Sequence, residues 1–257
     1  MLYLSIGDWF AGVKDWIVGT SQSFAENFKF AFIDGDRWQY MVGGLKNTLI
    51  VTVFALLLGV ALGVIVAVVR STADTIGKKR GFGNFLLRFF NRICKIYLTV
   101  IRGTPVAIQL LIMYFIIFGS SRNTMLAAIL SFGINSGAYV AEIVRGGIMG
   151  VDPGQTEAGR SLGLGYISTM QHIVVPQAIK SILPALGNEL ITLLKETSVC
   201  TFIGLTDITK GATIIQGRTF QAFFPLLGAA AMYLVMVMVL SWLLGKFERR
   251  LRKSDRR

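Results

Sequence analysis

Residues 47–69 carry no charged side chain over 23 positions. A helix of that length covers the hydrocarbon core of a bilayer, where an unpaired backbone group has no water to bond. Such a run must be buried, either in a large protein core or in lipid, and composition decides between them. Of 257 residues, 53% are hydrophobic and 16% charged, with a mean hydropathy of +0.61. A soluble domain of this size cannot hide so much apolar surface, so lipid is the solvent for most of the chain.

Four more segments qualify as spans. The second, 96–118, has Arg102 near its basic end. The third, 124–144, is entered through the tight Gly119-Ser120-Ser121-Arg122-Asn123 turn. The fourth, 182–203, is the least apolar, because Glu189, Lys195 and Glu196 fall inside it. The fifth, 220–245, is uncharged and bounded by Arg218 and Lys246. The expected fold is an all-α integral membrane protein with five transmembrane helices. The net charge of +12 agrees. Cations cluster at the ends of apolar runs, at Arg70, Lys78, Lys79, Arg80, Arg88, Arg92 and Lys95, and again from Lys246 to Arg257. Nucleic-acid binding requires them spread over a solvated face, so no nucleic-acid partner is expected. This is the positive-inside pattern of a lipid-embedded chain. It places 70–95 and 246–257 in the cytoplasm, and alternation adds 146–180. The N-terminus and the 204–219 loop then face outside.

Residues 1–40 are read as an extracytoplasmic amphipathic segment. Lys14, Lys29 and Arg37 are outnumbered there by Asp8, Asp15, Glu26, Asp34 and Asp36. Aromatic residues such as Trp9, Trp16 and Trp38 suit the outer membrane interface. The transmembrane domain follows at 41–252 and a basic cytoplasmic tail at 253–257. The N-terminus lacks the basic n-region of a signal peptide, so the first membrane helix is expected to direct targeting. Cys94 and Cys200 do not indicate a disulfide framework. His172 reads as a structural residue, since nothing near it completes a metal site. Gly59 and Gly63 form a Gly-x-x-x-Gly face, read as plain helix packing.

One stretch is polar where a bare connection needs only a few residues: Val151-Asp152-Pro153-Gly154-Gln155-Thr156-Glu157-Ala158-Gly159-Arg160-Ser161-Leu162-Gly163. Asp152 and Pro153 read as an N-cap with proline in the first turn. Gln155 permits a capping box, and Gly163 with Gly165 stops the helix. Such an insertion between membrane segments implies a partner outside the bilayer.

Glu157-Ala158-Gly159-Arg160-Ser161-Leu162-Gly163, followed by Val174-Val175-Pro176-Gln177-Ala178, resembles the E-A-A loop of ABC importer permeases. Arg102-Gly103-Thr104-Pro105, the stretch from Asn135 to Ile148, Leu186-Gly187-Asn188-Glu189 and Leu194-Lys195-Glu196-Thr197-Ser198 are similar to the polar amino acid importers of that family, in the family's order. The resemblance implies a type I ABC importer transmembrane domain with a coupling loop at 146–180. Its helix, with Gln155, Glu157, Ala158, Gly159, Arg160, Leu162 and Gly163, would dock on a cytoplasmic ATPase. The small residues there would allow close approach. The family usually has alanine at Gly159, which here softens the helix by roughly 1 kcal/mol, and aspartate at Glu196.

The resemblance implies further partners: a second permease subunit, two ATPase subunits and an extracytoplasmic amino acid binding protein, in a prokaryotic inner membrane. The chain has no Gly-x-x-x-x-Gly-Lys-Ser/Thr loop, so ATP and Mg are expected on the ATPases, with no cofactor here and no enzyme activity. Polar residues inside a membrane are costly and are default functional candidates. Asn135, Ser136, Tyr139 and Glu142 are spaced to share one face of the third span. Asn188, Glu189, Thr192, Lys195, Glu196 and Ser198 do likewise on the fourth. Together they would line a path for a zwitterion. The competing reading pairs Glu189, Lys195 and Glu196 with one another or with neighbours, and Glu142 with Arg145. An ion-coupled secondary transporter is the alternative function, although no internal repeat supports it. A membrane enzyme would need a catalytic cluster that the sequence does not assemble.

Overall fold

A computed structural model describes residues 21–76 and 82–254. Expectations for residues 1–20, for Lys78, Lys79 and Arg80, and for 255–257 lie outside the described residues. Every element among those described is helical. Helix α1 (Ser21–Phe28) runs on through a wide turn, Lys29–Ile33, to a short turn at Asp34–Asp36. Helix α2 (Trp38–Ile76) extends the uncharged run at both ends.

Helix α5 (Thr124–Met149), capped by Asn123 through the Leu126 N–H at 3.0 Å, is the buried centre of the fold. It packs along α2 through small residues. A Cβ at Gly59 would lie 2.9 Å from the Ser136 side chain, and one at Gly63 would lie 2.6 Å from the Val140 Cβ. The Gly-x-x-x-Gly face is therefore an intrachain helix contact. Phe132 and Val140 of α5 are fully buried, whereas Leu57 and Ile65 of α2 are exposed, as a lipid-facing surface requires.

The expected second span is not one straight helix. Helix α3 (Phe82–Gly103) stops at Thr104-Pro105, and α4 (Val106–Ile112) resumes and continues through a wide turn, Met113–Ile117. The two halves meet at 107°. Pro105 has no N–H to continue the ladder and forces the preceding residue out of helical geometry.

The polar segment after α5 holds α6 (Pro153–Ser161) and α7 (Tyr166–Thr169). A wide turn, Met170–Val174, then leads directly into α8 (Val175–Glu196) and a tight 3-10 turn, Thr197–Ile203. The expected loop at 204–219 contains a helix, α9 (Ile208–Thr219), before α10 (Phe223–Ser254) closes the fold. Asp207 caps α9, accepting from the Thr209 and Lys210 N–H groups at 3.0 and 2.9 Å. Burial pushes its carboxyl above the ordinary range, against the pull of those N–H bonds. Ile208, Ala212 and Ile215 pack α9 against Met41 of α2 and Ala229 of α10.

Among the described residues, three helical stretches are long and apolar enough to cross a membrane: Trp38–Asp74, Thr124–Met149 and Phe223–Leu251. The bent pair makes a fourth if taken as one. Helix α8 is too polar to join them on composition, yet it buries Ile182, Ile191, Leu193 and Leu194 against the other helices.

Candidate functional site

Helix α6 is short and fastened at both ends. Asp152 accepts from the Gly154 N–H at 2.9 Å, with Pro153 in the first turn. At the far end the Leu164 N–H reaches the Gly159 carbonyl at 3.1 Å and the Gly163 N–H the Arg160 carbonyl at 3.0 Å. That pair of bonds is the Schellman motif, and Gly163 supplies its left-handed residue at φ 81°. The capping box does not form. Gln155 instead accepts from the Gln177 side chain at 3.1 Å, which ties α6 to the first turn of α8.

Gly159 also departs from expectation. It is buried, and a Cβ there would lie 2.9 Å from the Thr169 Cγ2 and the Ile173 Cδ1. Its small size serves the packing of α6 on the chain's own return segment, not a partner's approach. Glu157, Ala158, Arg160 and Leu162 all point outward, with Leu162 80% exposed and Met149 and Ile167 beside the loop also bare. His172 bonds the Ser168 carbonyl through Nδ1 at 2.9 Å, a contact within its own helical turn.

The polar residues of α5 divide among three neighbours. The Ser136 hydroxyl donates to Glu189 Oε1 of α8 at 2.7 Å. Asn135 turns the other way and donates to Gln109 Oε1 at 3.1 Å. The Gln109 amide donates in turn to the Ile101 carbonyl at 2.8 Å and the Thr104 carbonyl at 3.1 Å, bracing the break at Pro105. Tyr139 is exposed, with the Arg102 guanidinium over its ring at 5.7 Å. Glu142 bonds Arg70 of α2 at 2.8 Å and lies 3.8 Å from Arg102. The expected Glu142–Arg145 pair does not form, because Arg145 pairs with Asp74 at 3.1 Å.

On α8, the Asn188 amide donates to the Pro184 carbonyl at 3.2 Å. Thr192 and Lys195 are exposed, and Glu196 and Ser198 are half-buried. Mutual ion pairing of Glu189, Lys195 and Glu196 is absent among the described residues, whose ion pairs all involve Glu142 or Asp74. Positions one and six or seven apart on a helix do not bring those groups together as three or four would.

Residues 59–253 match the family described as the binding-protein-dependent transport system inner membrane component. The chain belongs to this family. It is a permease subunit of an ABC importer, in a membrane, and ATPase and binding-protein partners go with that role in general. The permease is 35% identical to the glutamine transport system permease protein GlnP of Escherichia coli (strain K12), over 82% of this chain and 93% of that protein. It is 35% identical to the arginine transport system permease protein ArtQ of Bacillus subtilis (strain 168), over 84% and 94%. Among solved structures, an amino acid ABC transporter crystallised with histidines is 40% identical, with a TM-score of 0.76, covering 85% of this chain and 98% of that one. The MetNI methionine ABC transporter, facing inward, shares the fold at 18% identity, with a TM-score of 0.70 over 84% and 98%.

Two residues of the permease's polar network escaped the sequence reading. Gln109 was legible, because it is an amide inside an apolar stretch, where polar groups demand a partner. Gln177 stood within a recognised motif, but its bond to Gln155 depends on how the loop folds back.

Proposed function

We propose that this permease carries polar amino acids into the cytoplasm. Supporting this reading are the glutamine and arginine systems in which its relatives are named and the polar contact between α5 and α8. In this reading five segments span the membrane, α8 among them, with the N-terminus outside and the C-terminus inside. A second permease subunit completes the pore, and one ATPase docks on each half. ATP and Mg sit on the ATPases. This chain holds neither and catalyses nothing.

The observation that carries the proposal is the outward face of α6. A helix capped at both ends presents Glu157, Ala158, Arg160 and Leu162 as a rigid surface that none of the described residues covers. Closure of the ATPases would draw two such helices together and reorient the pore, a rigid-body transition. Asn135, Ser136, Tyr139 and Glu142 would line or brace the path on one side. Asn188, Glu189, Thr192, Lys195, Glu196 and Ser198 would do so on the other, with carboxylates able to meet a substrate ammonium.

The test is co-expression of the tagged permease with its candidate ATPase in mild detergent, beside Glu157→Lys and Gly163→Val. Co-purification with nucleotide-dependent activity in wild type, lost in both variants, is the expected result. A wild-type chain that purifies folded but alone would overturn the coupling assignment.

A further inference from the structure

Helix α3 has three faces where a spanning helix has one. At 100° per residue, its exposed apolar and basic stripes fall about 90° apart, with Leu98 on the side away from the apolar one. Leu98 is buried against Ala138 and Ala141 of α5. Phe85, Phe89, Ile93 and Ile96 form a second stripe and are exposed. Arg88, Arg92 and Lys95 form the third, also exposed. An exposed apolar stripe beside an exposed basic one is the pattern of a helix lying in a membrane surface. The 107° bend fits that placement. Helix α4 packs against the spanning α5, and a crossing by α4 beside it leaves α3 close to the membrane plane.

The basic stripe ends in a pocket of about 420 Å³, lined by Arg70, Lys95, Thr99, Arg102 and Glu142 with Leu98 and Gly103. Three cations face one carboxylate. Glu142 is engaged by Arg70 and lies near Arg102, and among the described residues Lys95 has no acidic partner. The Arg70 Nε is buried without a hydrogen-bond acceptor. The pocket lies at the level of Arg70, where the uncharged run of α2 ends, which is the depth of lipid headgroups.

We propose that α3 lies flat on the cytoplasmic membrane surface and that this pocket holds the phosphate of an anionic phospholipid. Guanidinium and ammonium groups together suit a phosphodiester oxygen cluster. The adjoining apolar stripe gives the acyl chains a surface that a free anion would not use. The inference takes its leaflet from the orientation proposed above. It requires neither the substrate class nor ATPase docking.

The test is native mass spectrometry of the full-length permease in detergent, titrated with phosphatidylglycerol or phosphatidylcholine. Wild type is compared with Lys95→Gln, with the double variant Lys95→Gln/Arg102→Gln, and with Lys95→Arg. The expected result is preferential retention of phosphatidylglycerol, weakened on the order of tenfold in the double variant and restored in Lys95→Arg. Thermal midpoints identify variants that merely misfold, and Lys95→Gln, which breaks no ion pair, keeps the test decisive. Equal retention of both lipids, or of phosphatidylglycerol in wild type and variants, overturns the proposal. Displacement of the lipid by millimolar inorganic phosphate also overturns it, in favour of a soluble-anion site. So does loss of ATPase co-purification with lipid retention unchanged, which would make α3 a protein contact. Because lipid retention is read without transport, a failed importer assignment leaves this result interpretable.

Discussion

The Ser136 hydroxyl donates to Glu189 at 2.7 Å and thereby joins α5 to α8 through a half-buried carboxylate. Ser136→Ala removes that donor and leaves the acceptor without it, at an expected cost of about 1–3 kcal/mol. Glu189→Gln keeps an oxygen to accept the bond and deletes only the charge. Thermal stability should therefore fall in the first variant and hold in the second. Uptake should change in the second if Glu189 meets substrate. Unchanged uptake and specificity in a stable Glu189→Gln complex would remove Glu189 from the path.

Gly163 and Gly159 answer to different physics. Gly163→Val forces a β-branched residue to φ 81° and costs about 1–3 kcal/mol locally, fraying the end of α6. ATPase co-purification should drop while the chain stays folded. Gly159→Ala gains up to about 1 kcal/mol of helix propensity, offset by crowding against Thr169 and Ile173. Its net effect should be small, whereas Gly159→Leu should prise α6 from α7. Equal tolerance of Gly159→Ala and Gly159→Leu in a pull-down would contradict the packing role.

Glu142→Gln deprives Arg70 and Arg102 of their shared carboxylate. Half-buried pairs fall between exposed and buried ones, so the expected loss is about 1–3 kcal/mol. Adding Arg70→Gln should recover part of it by removing the unpaired charge. Additive losses in the double variant, read as melting midpoints, would mean that the pair is not coupled.

Asp207 couples pH to the packing of α9. Because burial raises its folded pKa, the folded chain holds the proton more tightly than the unfolded chain does. This contribution is present below the ordinary carboxylate pKa and is lost as pH rises through the raised value. Asp207→Asn should flatten that part of the pH–stability profile while still capping α9. Asp207→Ala should cost about 1–2 kcal/mol at any pH, through the lost cap. Identical pH profiles for wild type and Asp207→Asn would place the titration elsewhere.

What the sequence reveals here depends on range along the chain. Asp152, Pro153 and Gly163 declare the ends of α6 because capping is decided within four residues. The packing of Gly59 and Gly63 was legible as small residues at helical spacing. The turn at Pro105 lay in plain view, but hydropathy averaged across it and read one span through 96–118. The partners of Glu142 were not legible. Arg70 lies 72 residues away, while Arg145, three positions along, looked the natural mate. Its bond to Asp74 follows from the alignment of α2 with α5, which no local pattern encodes. The helix at 208–219 was missed because its apolar side is short and answers to Met41 and Ala229, not to its own periodicity.

From Tyr166 to Ile203 the backbone stays helical without a break, so the segment on which α6 packs and Glu189 ride on a single rod. About 20 Å of helix separates Val175 from Glu189 at 1.5 Å per residue. A tilt of about 10° at the Val175 end would sweep Glu189 sideways by roughly 4 Å over that length, more than the reach of its bond to Ser136. In such a rod a short stroke at one end would be magnified at Glu189. Pro184, within it, marks the point at which such a lever would flex first.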